Sequence, residues 1–379
     1  MGTHPIRTTR RREPVPPARD RGTGDDTGAT DRPRSRTGTT ARAHTATVVR
    51  RRGGTALVTA IRMHRTGGPE VLEPAESEPG DPGPRDVLID VAAAGVNYID
   101  TYQRAGIYEV PLPYTPGLEG AGRVAAVGAE VDEFAVGDRV AWQGAPGGYA
   151  EKAVVPADVA VRIPDTVSDE TAAATMLQGI TAHYLVSSTY PVGEGDPVLV
   201  HAAAGGVGLL LVQLAKARGA RVLGTVSTGE KERLAREAGA DEVVRYTERD
   251  FVEATREFTG GEGAAVVFDG VGASTWEGSL SALRPRGLLA LFGAASGPVP
   301  PIDPQRLNAG GSLFLTRPKT VDHTRTRAEL DWRVGELFDA VSSGALTVRV
   351  GGRYPLTRAR AAHEDLQGRR TTGKVLLLP

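Results

Sequence analysis

Between residues 199 and 228 the chain reads LVHAAAGGVGLLLVQLAKARGARVLGTVST, and the glycines of this stretch stand where they can hold an anion. An apolar strand pattern runs into Ala203, Ala204, Gly205, Gly206, Val207 and Gly208, an alanine-led form of the G-x-G-x-x-G spacing, and a helix pattern follows. At that spacing Gly205 lets the main chain approach a pyrophosphate, Gly208 lets the helix lie on the strand, and the free N–H groups of the helix face the anion. A ligand-free packing turn is the alternative, and the flanking strand and helix weigh against it. Which dinucleotide binds is decided at the end of the second strand. There the chain offers the hydroxyls of Thr225, Ser227 and Thr228 and then Lys231, a set that suits a 2′-phosphate, which accepts hydrogen bonds and needs a compensating charge. Glu230 stands where an NAD site commonly places its acid, but it opens the next helix pattern and is expected to serve the first turn there. NADPH is the expected cofactor.

The chain of 379 residues contains no cysteine, so disulfides, thiolate nucleophiles and thiolate zinc sites are excluded. A metal would need His and carboxylate ligands alone, and His64, His183, His201 and His363 show no ligand spacing. They are expected to be structural, surface or substrate-side residues, and no metal is expected. No apolar run reaches the roughly 18 residues of a membrane span, and the Arg-rich N-terminus lacks the apolar stretch of a secretory signal. A cytoplasmic address is the simplest expectation.

Four stretches must position these residues. Residues 1–57 carry many Arg, no Lys and abundant Thr, Gly and Pro without apolar periodicity, the composition of a disordered basic tail. A strand pattern starts at Val58, so the tail is expected to be dispensable or an over-extended start, and without interleaved aromatics a nucleic-acid role is disfavoured. Residues 58–177 alternate apolar and polar positions, as at Val87, Ile89 and Val91, with frequent Gly and Pro turns, which predicts a compact β-rich, barrel-like domain. Residues 178–318 alternate strands and helices, after a helix pattern that starts near Ser168, and predict a doubly wound parallel sheet. Residues 319–379 end in the apolar TGKVLLLP, expected to return as a strand to the first domain.

The segments GVNYIDTYQRAGIY, HAAAGGVG, GTVSTGEK, RPRGLLALFGAASG, SLFLTRP and RRTTGKVLLLP occur in this order and resemble the zinc-independent quinone oxidoreductases, the zeta-crystallin-like members of the medium-chain dehydrogenase/reductase superfamily. The resemblance runs from about Val58 to Pro379. It implies an α/β fold with a GroES-like β-rich catalytic domain, a Rossmann domain, a cleft between them, and a homodimer joined through edge strands of the cofactor domain. Zinc-dependent relatives carry Cys and His ligands where this chain has Asn97, after Gly95-Val96, and Leu118 in PGLEG.

By position, the resemblance places Asn97, Asp100 and Tyr102 near the nicotinamide, with Gln178 and Thr181 at the start of the linking helix and Tyr108 toward the acceptor. It places Ser227, Lys231 and Tyr246 around the adenosine phosphate, Phe292, Gly293 and Ser296 beside the ribose and nicotinamide, and Phe314 in SLFLTRP within the cofactor set. Arg369 and Lys374 belong to the closing C-terminal segment, where Arg370 competes with Arg369 for one role, and Ala294 replaces the usual polar residue after Phe292-Gly293. Tyr102 or Tyr108 can donate a hydrogen bond to the oxygen of a quinone that is gaining charge. Asp100 and Glu119 form a possible carboxylate pair, for which a structural role is preferred. Without a Lewis acid, hydride transfer to an electron-poor acceptor is the sensible chemistry. The expected function is NADPH-dependent quinone reduction; enone reduction and a noncatalytic NADPH- or nucleic-acid-binding role are the alternatives.

Overall fold

A computed structural model describes residues 57–379, and the tail expected over residues 1–57 lies, Leu57 apart, outside the described residues. The β-rich part is built on Asp86–Val96, whose alternation buries Val87, Ile89 and Val91 against one core. This strand pairs antiparallel with Glu119–Val127, Lys152–Pro156 and the terminal Lys374–Leu378. Arg139–Gln143 and Ala160–Arg162 extend the sheet on one side, and Val350–Pro355 extends it on the other.

The second sheet has six strands, in the spatial order Glu242–Arg245, Arg221–Val226, Pro197–Val200, Ala264–Asp269, Leu283–Leu291 and Phe314–Thr316. Every pairing is parallel, and the chain starts in the middle and winds outward both ways, the doubly wound order that puts a ligand crevice beyond the carboxyl ends of the strands. Separate apolar clusters, one around Val200, Leu211 and Phe268 and one around Leu199, Val267 and Leu280, cover its two faces.

Four helices matter for the site: α1 (Tyr98–Arg104), α2 (Asp169–Tyr184), α3 (Gly206–Lys216) and α4 (Gly229–Glu237). The Ser168 hydroxyl caps α2 by accepting the Thr171 N–H at 3.2 Å. Helix α2 packs on Asp86–Val96 and Glu119–Val127 and also on α3, so residue 178 lies inside an element that joins the first sheet to the helix layer of the second. The segment after residue 319 is likewise divided. Its helix Arg327–Ser342 sends Leu330, Val334, Leu337 and Phe338 into the cluster that also holds α2 and α3, while its two strands join the first sheet. Among the described residues no helix is long and apolar enough to cross a membrane.

Candidate active site

The turn after Pro197–Val200 is shaped by two glycines with different jobs. A Cβ on Gly208 would overlap the Ala202 carbonyl and lie 2.8 Å from Ala203 Cα, so only glycine lets α3 approach the strand this closely. On Gly205 the one neighbour would be the Ala202 carbonyl at 3.1 Å, which leaves the space in front of the turn open. Gly205 is the N-cap of α3 with no side-chain cap, so the first N–H groups of the helix remain for an anion. The Ala204 carbonyl is used by the Gly373 N–H at 3.0 Å, which ties the C-terminal segment across the turn, and Val207 is half-buried behind it.

At one end of this turn the residues expected around the adenosine phosphate converge. Lys231 Nζ donates to the Arg369 carbonyl at 2.7 Å and lies 3.5 Å from Ser227 Oγ, while an Arg369 Nη1 donates to the Tyr246 hydroxyl at 3.5 Å. Burial, and then the neighbouring Arg369 guanidinium, lowers the Lys231 pKa. Two cations this close, neither ion-paired among the described residues, make a seat for a dianion. Arg370 turns away to Asp365, with Nε donating to Oδ1 at 2.7 Å. Thr228 Oγ1 accepts the Lys231 N–H at 3.3 Å as the N-cap of α4, and Glu230 sits in the first turn of that helix.

At the other end stands a buried polar cluster. Asn97 Nδ2 donates to Glu119 Oε1 at 2.6 Å, and Asn97 Oδ1 accepts from Lys374 Nζ at 2.9 Å and from Gln178 Nε2 at 3.1 Å. Lys374 and Glu119 form an ion pair whose side chains are 1% and 0% exposed. Glu119 Oε2 also accepts the Leu177 N–H of α2 at 2.6 Å. These bonds fix which way the Asn97 and Gln178 amides face. They leave Gln178 Oε1 buried with no partner, at the spot that a Cβ on Gly206 would fill. An orphaned acceptor beside an open glycine turn fits the carboxamide end of a nicotinamide dinucleotide. Thr181 Oγ1 donates back to the Leu177 carbonyl at 2.7 Å.

Asp100, fully buried, accepts the Asn97 N–H and the Tyr149 hydroxyl, both at 2.8 Å. Burial raises its carboxyl to about 7. Because Tyr149 donates to Asp100, His363 donates to Tyr149 from Nε2 (3.0 Å) and accepts from Arg104 Nη1 at Nδ1 (3.1 Å). Burial, then Arg104, pushes the His363 pKa down to about 3. Tyr102 accepts the Ala294 N–H at 3.1 Å, so its own O–H remains available to donate. The ring of the exposed Tyr108 meets it edge-on at 5.6 Å.

Two family models match, "Alcohol dehydrogenase GroES-like domain" over residues 83–165 and "Zinc-binding dehydrogenase" over residues 206–333. A quinone oxidoreductase of Pseudomonas aeruginosa is 46% identical over 321 residues, 84% of this chain and 99% of that protein. Among solved structures, a mycobacterial protein complexed with NADPH is 53% identical with a TM-score of 0.83, over 85% of this chain and 100% of that one. An Escherichia coli quinone oxidoreductase complexed with NADPH is 45% identical with the same TM-score, 0.83, and the same coverage, 85% and 100%. The chain belongs to the quinone oxidoreductase family of the medium-chain dehydrogenase/reductase superfamily.

For a quinone oxidoreductase relative, the metal question is answered by the donor set. The second model's description names zinc, yet the side chain at the Cys position is Asn97, already bonded to a buried ammonium, and Leu118 offers no ligand atom. A dication there would face Lys374 directly, so these residues do not fit one. Among the described residues no group of three or more His, Cys, Asp or Glu is arranged for a metal.

The structure redistributes several expected roles. Asp100 accepts the main-chain N–H of Asn97 and Glu119 accepts its side-chain amide, so the two carboxylates support Asn97 from different sides. The Lys374 ammonium is committed to Asn97 and Glu119, so it reaches a cofactor only through them. Ser296 Oγ donates to the Val271 carbonyl (2.8 Å) and accepts the Ser274 N–H (3.0 Å), which clasps two loops together. Gly293 is required because a Cβ would overlap the Gly270 carbonyl, and the Phe292 ring covers Gly270. Phe314 stands apart from the site. It starts the edge strand opposite Leu288, three residues short of the Leu291 end of that neighbouring strand, and is 59% exposed. Sequence reasoning missed Tyr149, which carries no local signal, and Arg317, which lies inside SLFLTRP and whose Nη1 donates to the Leu291 carbonyl at 2.8 Å.

Proposed function

We propose that this chain is a zinc-independent reductase that transfers hydride from NADPH to a quinone or a similarly electron-poor acceptor. The observation that carries this reading is the continuous track from the Lys231 and Arg369 cations, past the open Gly205 turn, to the Gln178 acceptor. When bound, NADPH supplies the hydride. Lys231, Ser227, Arg369 and Tyr246 hold the phosphate-bearing end, the first turn of α3 takes the pyrophosphate, and Gln178 Oε1 takes the carboxamide N–H. Asn97, held from three sides, keeps that amide facing inward. Tyr102, its oxygen already accepting from Ala294, donates its O–H to the acceptor oxygen as negative charge collects there. A proton from solvent then completes the quinol. Tyr108 forms the solvent side of the acceptor pocket.

NADPH oxidation by 1,4-benzoquinone in the presence of EDTA tests the reading, with NADH as the comparison. Turnover that favours NADPH and ignores the chelator is expected; no oxidation, or loss that zinc restores, overturns it. We also assign the protein to the cytoplasm as a homodimer joined through the free edge strand Phe314–Thr316, where the exposed Phe314 ring would be covered. A monomer in sedimentation at micromolar concentration contradicts the dimer. The division into domains near residues 178 and 319 belongs to the same reading, with α2 as the hinge element.

A further inference from the structure

We propose that Arg317 forms an anion subsite at the acceptor end of the cleft, so that the preferred acceptors carry a carboxylate or another ionised substituent. This rests on the quinone-reductase reading. The guanidinium is held by one bond and its chain segment by others. Its Nη1 bond to the Leu291 carbonyl holds it at the end of strand Leu283–Leu291, three residues before Ala294 reaches the Tyr102 hydroxyl. Beyond it in the chain, Thr320 Oγ1 lies 3.4 Å from Thr181 Oγ1, and the His323 ring stacks on Tyr184 at 4.2 Å, which ties the same segment to α2.

Arg317 is therefore suspended between the Tyr102 side and the α2 side of the cleft, and its field reaches the hydroxyls of both Tyr102 and Tyr184. The residue is exposed, and among the described residues it enters no ion pair, so one N–H serves Leu291 and the rest of the fork faces outward. The cations that fit a 2′-phosphate, Lys231 and Arg369, are held together by a separate set of bonds around Ser227 and Tyr246. A third cation without an ion pair among the described residues, at the Tyr102 end of the cleft, is thus left for something other than the cofactor phosphate. Neutral quinones need no formal charge beside them. A planar fork of N–H donors matches a carboxylate through two parallel bonds.

The test compares a 1,4-benzoquinone bearing a carboxymethyl group with its methyl ester, which keeps the ring and removes the charge. Initial rates with saturating NADPH give KM and kcat for both acceptors in the wild type, R317Q and R317K. The wild type is expected to have the lower KM for the acid. In R317Q the acid-to-ester KM ratio should rise about 10-fold, the loss of a partly exposed charge-assisted bond. R317K should recover part of it, because an ammonium restores the charge without the fork. Added salt should shrink the wild-type preference. A ratio that is the same in wild type and R317Q, or a wild type that prefers the ester, overturns the inference while ester turnover leaves the quinone reading standing. Failure to turn over either acceptor overturns both.

Discussion

The two ends of the proposed cofactor track are each built around a lysine and are held in opposite ways. At the end proposed for the adenosine, Lys231, Arg369 and Tyr246 lie near the surface, meet through one bond of 2.7 Å to the Arg369 carbonyl and one of 3.5 Å to the Tyr246 hydroxyl, and are anchored by no buried partner. At the end proposed for the nicotinamide, Lys374, Glu119 and Asn97 are almost wholly buried and bond to each other and to α2. A lysine in the first setting is a recognition group that can be lost without unfolding the chain. A lysine in the second is part of the core, and it acts on the cofactor only through the amides it orients. The difference teaches that position in the track does not reveal which mutations change specificity and which change stability; burial and partner number do.

The largest effect should come from breaking the buried pair. Lys374→Met removes the ammonium at similar length and leaves Glu119 charged and unpaired, a loss of about 3–5 kcal/mol. Chemical denaturation should show that fall, and the double variant with Glu119→Gln should recover much of it because no lone charge remains. A single variant as stable as wild type would break the contrast between the two ends.

Lys231→Ala should behave the other way, with little change in stability and a large change in cofactor preference. A charge-assisted contact to the 2′-phosphate contributes about 1.5–3 kcal/mol, or roughly 10- to 150-fold in NADPH affinity. NADH, which lacks the phosphate, should bind the variant and the wild type alike. Fluorescence titration with each cofactor at low and high salt decides it: parallel losses for NADPH and NADH would withdraw the assignment of the adenosine end.

The same contrast governs what was legible in the sequence. The glycine turn and the Ser227–Lys231 set lie within one stretch of about thirty residues, each of the six strands is a short apolar run of its own, and the parallel sheet forms as the alternation of strand and helix patterns predicts. The Lys374–Glu119 pair joins residues 255 apart, and nothing local distinguishes that lysine from a surface one. His363 and Tyr149, 214 residues apart, meet for the same reason through α/β closure and not through spacing. Thr228 and Ser296 show the other limit. A hydroxyl in a motif fits a ligand or a backbone partner equally well by type, and here nearby N–H and carbonyl groups claim both.

Within the turn itself two alanine variants should separate packing from binding. Gly208→Ala forces a methyl into the Ala202 carbonyl and should cost about 1–3 kcal/mol by overpacking. Gly205→Ala meets only that carbonyl at 3.1 Å and should fold nearly as wild type while weakening both cofactors, since the methyl enters the anion's space. Equal melting temperatures for the two variants would contradict the division of labour.

The smallest expected effect is a change in pH slope at the buried end. Burial lifts the Asp100 carboxyl from an ordinary 3.8 to about 7 in the folded chain. Since the folded value is the higher one, the native state holds the proton more tightly than the unfolded state. The stabilising contribution of this group is then complete below its unfolded pKa and is lost as pH rises toward the folded one. Asp100→Asn keeps an amide oxygen to accept from both the Asn97 N–H and the Tyr149 hydroxyl, but it no longer titrates. Thermal melts between pH 4 and pH 7 should therefore fall less steeply with rising pH in the variant than in the wild type. Lys231→Ala, at the exposed end, should leave that slope in place. Identical slopes for wild type and Asp100→Asn would mean that the carboxyl is already ionised in the folded chain, with Tyr149 and the Asn97 N–H outweighing its burial.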